Sequence, residues 1–135
     1  MFPEVGTARL LHKKEVLKIL IVDDLPDNLE LLELCMKDLS PKVDRAENGK
    51  QAISLIKKNE YDIVFMDLRM PILDGYSAMK HIREWEKQEN KDQLLIVAVT
   101  AYSMDYEYEK SLQAGFSDFL TKPISKELIK EVVKK

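Results

Sequence analysis

The sequence predicts a three-layer α/β sandwich built on one parallel sheet. Three observations carry that reading. Three short runs are continuously apolar, as strands covered on both faces are, instead of alternating like half-exposed ones. The segments between them repeat apolar residues at helical spacing. Strands alternating with helices through right-handed crossovers place helices on both faces of a sheet, and 135 residues with 45% apolar content suffice for one such core.

The elements follow in order. Residues 1–15 hold only the short apolar pair Leu10-Leu11, lack the apolar block of a signal peptide, and read as an N-terminal linker or extension to a domain over 16–135. Lys18–Val22 is the first apolar run. Pro26 suits a helix start, and Leu29, Leu32 and Met36 recur at i, i+3, i+7. Pro41–Ala46 is more polar and reads as an edge strand. Ala52, Leu55 and Ile56 mark the second helix, and Asp62–Met66 the next strand. After Gly75 come Ala78, Ile82 and Trp85 at i, i+4, i+7, then the strand Leu94–Val99. Met104, Tyr108 and Leu112 give the following helix a weaker inward stripe. Gly115 punctuates the chain before the weak strand Ser117–Leu120, and Leu128, Ile129, Val132 and Val133 stripe the last helix. The pattern is β-α five times.

Composition narrows the functional classes. Twenty-one Lys and Arg against 24 Asp and Glu leave a net charge of -3, which offers no bulk attraction to nucleic acid or an anionic membrane. No run approaches the roughly 18 to 20 apolar residues that span a bilayer. Cys35 is the single cysteine, so no internal disulfide or multi-cysteine metal site is available, and a reducing, cytoplasmic setting is expected.

Ligands of open parallel sheets bind outside the carboxyl ends of the strands. There the sequence places Asp23-Asp24, Asp67, Thr100 and Lys122-Pro123. Taken singly, each aspartate is a cap or turn residue, Thr100 a capping hydroxyl and Lys122 a surface lysine. Taken together they carry chemistry. Three carboxylates in one crevice repel, so they need raised pKa values or a cation. Hard oxygen donors with room for water suit Mg²⁺, and an ammonium and a hydroxyl beside them suit a phosphoryl group. The set fits metal-assisted phosphoryl transfer. Pro123 fixes the chain beside Lys122 and makes a cis bond accessible.

From about Leu17 to Val133 the chain resembles a receiver domain of two-component response regulators. The resemblance rests on Ile21-Val22-Asp23-Asp24, on Met66-Asp67-Leu68-Arg69-Met70-Pro71-Ile72-Leu73-Asp74-Gly75, on Val99-Thr100-Ala101 and on Phe119-Leu120-Thr121-Lys122-Pro123. It implies a flavodoxin-like (βα)5 fold of strand order 2-1-3-4-5, for which receivers are themselves a type example. It further implies Asp67 as phosphoacceptor from a histidine kinase or histidine phosphotransfer protein. Asp24 and Asp67 would hold Mg²⁺ directly, Asp23 largely through water, and the Arg69 backbone carbonyl would complete the protein ligands. Lys122 and Thr100 would bind phosphoryl oxygens. Thr100 and Phe119 would form a switch that alters the surface of the fourth helix, fifth strand and fifth helix. Phe119 has no hydroxyl, so its coupling must come from packing. Arg69 and Tyr102 would tune the lifetime of the phosphorylated form.

Such a domain is no enzyme toward other molecules and catalyses only its own phosphorylation and dephosphorylation. The wording around Met70–Gly75 is similar to receivers of hybrid sensor kinases, and a monomer or weak dimer without direct nucleic-acid or membrane contact is expected. Two alternatives compete: a receiver-like interaction module that works unphosphorylated, and an aspartate-nucleophile phosphatase. The adjacent pair Asp23-Asp24 lacks the intervening residue such phosphatases carry. A flavin site fits poorly with the acidic loop Asp24-Leu25-Pro26-Asp27-Asn28. His12, in the extension, and His81, on an expected solvated face, have no nucleotide-binding glycine box beside them.

Overall fold

A computed structural model describes residues 16–39, 41–70, 72–101 and 105–134. Leu10, Leu11, His12, Pro71, Tyr102 and Met104, and the proposed extension, lie outside them. The described residues form five strands: β1 (Lys18–Val22), β2 (Lys42–Ala46), β3 (Ile63–Asp67), β4 (Ile96–Thr100) and β5 (Asp118–Thr121). All pair in parallel in the order β2-β1-β3-β4-β5. Between and after them run α1 (Pro26–Cys35), α2 (Gly49–Lys58), α3 (Gly75–Gln88), α4 (Asp105–Ala114) and α5 (Lys126–Lys134), with a 3-10 turn at Lys37–Leu39.

Period-two alternation divides the core into two layers. Ile19 and Ile21, Ile63 and Phe65, and Val97 and Val99 face α1 and α5, where Leu29, Leu32, Met36, Ile129, Val132 and Val133 meet them. Leu20 and Val22, Val64 and Met66, and Ile96 and Ala98 face the other way, onto Ala52 and Ile56 of α2 and Ala78, Met79 and Ile82 of α3. Burying each large side chain contributes roughly 1.5 to 3 kcal/mol, so the central strands, apolar on both faces, are the best-held part of the sheet. β2 sits at the edge with its more polar sequence, as expected.

Local signals set the helix starts. Pro26 occupies the first turn of α1. The Asn48 side chain caps α2 by accepting from the Gln51 amide, and Asp74 caps α3 by accepting from Ser77. Asp67 therefore caps no helix and is left for the site.

Four strands differ in their bounds from the sequence reading: β2 begins at Lys42 instead of Pro41, and the other three are β3, β4 and β5. β3 and β5 each run one residue later than expected, and β4 begins at Ile96 instead of Leu94. The cause at β4 is tertiary. The Leu94 amide donates to Glu86 Oε2 at 2.7 Å and its carbonyl accepts from Arg83 Nη1 at 2.9 Å, so α3 side chains take the backbone groups a ladder would use. The expected inward stripe of α4 is also corrected. Tyr108 and Leu112 are exposed, whereas the polar Glu107 and Ser111 are buried. Ser111 satisfies its hydroxyl by donating to the Tyr108 carbonyl, and Glu107 pairs with Arg69.

Candidate functional site

β1 and β3 are central neighbours, so their carboxyl ends bring the two aspartate motifs side by side. Asp23 and Asp67 are buried and Asp24 is half-buried. One carboxylate oxygen from each of Asp23, Asp24 and Asp67 lies within 4.8 Å of the others. The cis Lys122-Pro123 bond follows β5, and the Lys122 amide donates to the Thr100 carbonyl at 2.7 Å. From there Lys122 Nζ reaches Asp23 Oδ2 at 3.0 Å and Asp67 Oδ2 at 3.5 Å.

The remaining lone pairs are used locally. Asp23 Oδ1 accepts from the Leu25 amide at 3.0 Å and from Asn28 Nδ2 at 3.3 Å, so Asp23 is a turn residue and a member of the cluster at once. Asp67 Oδ1 accepts from the Arg69 amide at 3.1 Å. Burial pushes the Asp67 carboxyl above its usual range, and the Asp23 charge adds to the rise; the Arg69 amide and Lys122 oppose it. Burial disfavours the Lys122 ammonium, yet the Asp23 and Asp67 carboxylates together hold its pKa above the ordinary lysine value. Three carboxylates against one ammonium leave a formal excess of two negative charges. That excess and the all-oxygen donor set fit a divalent hard cation.

Thr100 is buried at the end of β4, in register with Thr121. Phe119 is half-buried, in register with Ala98, and packs edge-on against Tyr108 of α4 with ring centroids 5.6 Å apart. Arg69 follows β3, largely exposed, with Nη2 at 3.5 Å from Glu107 Oε1. Tyr102 lies outside the described residues. A cleft of about 330 Å³ beside the aspartates is lined by Asp23, Asn28, Leu31, Leu32, Lys122, Pro123 and Ile124.

Sequence reasoning missed two members. Asn28 was read only as part of an acidic loop, although its place in the first turn of a Pro-started helix aims it back at the strand end. Glu107 carried no local signal, because its burial depends on how α4 packs.

Residues 19–134 match the response regulator receiver domain family. The chain belongs to that family. This receiver is 41% identical over 118 residues to the sensor protein GacS of Pseudomonas syringae pv. syringae, a match covering 87% of the chain and 13% of GacS. The chain thus spans a small part of the length of that curated relative. Among solved structures, the Saccharomyces cerevisiae Ssk1 receiver domain, crystallised with the histidine phosphotransfer protein Ypd1, matches with a TM-score of 0.82 and 30% identity over 87% of this chain and 86% of that one. The receiver of sensor histidine kinase PA1611 from Pseudomonas aeruginosa PAO1, with magnesium coordinated in its active-site cleft, matches with a TM-score of 0.78 and 34% identity over 88% and 95% of the two chains. This protein is a receiver domain of phosphorelay two-component signalling.

Proposed function

We propose that this receiver accepts a phosphoryl group on Asp67 from phosphohistidine of a histidine kinase or histidine phosphotransfer protein. One observation carries the reading: Asp23, Asp24, Asp67 and Lys122 converge where the central strands end. An Asp67 carboxylate oxygen bonds to phosphorus while the phosphorus–nitrogen bond of the donor breaks, and the electron pair stays on the imidazole nitrogen. The product is an aspartyl phosphate. Asp24 and Asp67 would hold Mg²⁺ directly, Asp23 largely through water, and the Arg69 carbonyl would complete the protein ligands; the ion would supply neutralisation of charge on the transferred group. Lys122 already stands between Asp23 and Asp67, where it pairs with phosphoryl oxygens without moving far.

The donor must bring its imidazole to the rim of the site, where Leu25 and Leu31 are exposed and Pro123 is open to solvent beside the polar cluster. Exposed apolar side chains beside a polar cluster suit a protein donor. Thr100 binds the phosphoryl group once it is attached, and Phe119 answers by repacking into the space Thr100 vacates. The output is a change in the α4, β5 and α5 surface. The domain acts as a switch and turns over no separate substrate. We read it as a cytoplasmic domain of a hybrid kinase, a reading supported by the free thiol at Cys35 and the likeness to a sensor protein.

The test is an intact mass after incubation with Mg²⁺ and acetyl phosphate. Wild type gains one phosphoryl group only when Mg²⁺ is present, and Asp67→Asn gains none. A Mg²⁺-independent adduct, or an adduct that survives in Asp67→Asn, would overturn the assignment. If neither acetyl phosphate nor the mimic beryllofluoride engages wild type, the protein is an interaction module instead.

A further inference from the structure

We propose that Glu107 of α4 is a positioning residue for Arg69, holding its guanidinium so that the α4 carboxylate and a phosphoryl group on Asp67 compete for one cation. The inference rests on the reading of Asp67 as acceptor.

Glu107 is 3% exposed, and a buried carboxylate requires a counter-charge. Its ion pair among the described residues is with Arg69, at 3.5 Å, long for a charge-assisted pair. The buried Tyr76 hydroxyl lies against the same carboxylate. Burial foremost, then a hydrogen bond to the Glu107 carboxylate, keeps this phenol protonated well above the usual range. A buried charge held this loosely is high in energy and open to exchange.

Arg69 reaches both contestants. Its amide donates to Asp67 Oδ1, two residues away, while its long side chain crosses to α4. The backbone between them has little freedom. The Gly75 amide donates to the Leu68 carbonyl at 3.1 Å, and a Cβ at Gly75 would meet the Asp67 carbonyl oxygen at 2.6 Å and Leu68 Cα at 2.9 Å. A new charge on Asp67 is therefore met by a swing of the Arg69 side chain and not by a shift of its backbone. An acyl phosphate carries up to about two negative charges where Glu107 carries one, so it wins the guanidinium. Glu107 is then left buried without its cation, which drives α4 to repack. α4 also carries Tyr108, whose ring lies on Phe119, so the exchange feeds the same α4 and β5 face.

The test is a double-mutant cycle with Glu107→Gln, Arg69→Ala and the double variant, each phosphorylated with acetyl phosphate and Mg²⁺. The decay of the adduct is followed by intact mass, and the Arg69 Nε–H resonance by NMR with and without Mg²⁺ and beryllofluoride. Glu107→Gln frees the guanidinium to stay with the phosphoryl oxygens and slows decay by about threefold or more, the scale of coupling between contacting residues. In the Arg69→Ala background the same change has no effect on decay. The Arg69 Nε–H signal of wild type moves when beryllofluoride binds. Equal decay in wild type and Glu107→Gln, an effect that persists without Arg69, or an unmoved Nε–H signal overturns the proposal while leaving Asp67 as acceptor. Absence of any adduct in wild type instead removes the acceptor reading, and this inference with it.

Discussion

Asp23 divides its oxygens between two tasks: Oδ1 ties down Leu25 and Asn28 at the start of α1, and Oδ2 receives Lys122. A carboxylate so engaged is held in one rotamer, which is why a residue typical of turns also serves the site. Tyr61 shows the same economy away from the chemistry. It is buried, and its hydroxyl donates to Asp44 Oδ2 of the edge strand at 2.7 Å. Burial, and then the Asp44 hydrogen bond, push its pKa well above the ordinary phenol. A group whose pKa rises on folding contributes stability that is complete below the unfolded-state pKa, about 10 for tyrosine, and is lost as pH climbs from there toward the folded value. Tyr61→Phe should lower stability by about 1 kcal/mol at neutral pH, read by urea unfolding, and should flatten the loss above pH about 10. An equally steep alkaline loss in the variant would assign that loss to other groups. Asp67, the pair Asp23-Asp24 and Lys122 are all legible as residue types at strand ends. Asn28 and Glu107 are not, because hydrogen bonding to Asp23 and burial against Arg69 arise only after the helices dock.

At the scale of elements, the join between α3 and β4 is made by side chains. Arg83 donates to the Gly115 carbonyl through Nε at 3.0 Å and Nη2 at 2.8 Å, to the Leu94 carbonyl, and to Glu86, which itself accepts from the Leu94 amide. Gly115 has φ +107, a conformation that favours glycine, and a Cβ there would stand 3.1 Å from Arg83 Cγ. Arg83→Ala should destabilise the fold by about 3 to 5 kcal/mol, since it strands the buried Glu86 charge and two carbonyls. Replacing both Arg83 and Glu86 with apolar residues should recover part of that loss; equal loss in the single and double variants would show that the stranded charge is not the cause. This network also explains why β4 was read two residues too early: Leu94 and Leu95 are apolar enough for a strand, but α3 claims the Leu94 backbone. α4 was misread for a related reason. Its apolar residues lie outward and its buried ones are polar, so periodicity pointed to the wrong face.

Over the whole molecule, every central strand contributes to both apolar layers, so neither layer can come apart while the other stays intact. Unfolding should therefore be a single transition. Fluorescence of Trp85, half-buried against the α2 and α3 layer, should follow the same urea midpoint as far-ultraviolet circular dichroism, which reports all helices. Separate midpoints would mean that the layers are independent units. The sequence by itself determined the α/β class, the succession of strands and helices, and the residues at the strand ends, because burial on both faces and helical spacing are written in local patterns. The family resemblance added the strand order, which the sheet bears out. Only the tertiary structure decided which carboxylates share one 4.8 Å cluster, how Lys122 reaches two of them, and that α4 turns Glu107 inward toward Arg69. Those facts depend on contacts between residues far apart in the chain, whose energies no local pattern encodes.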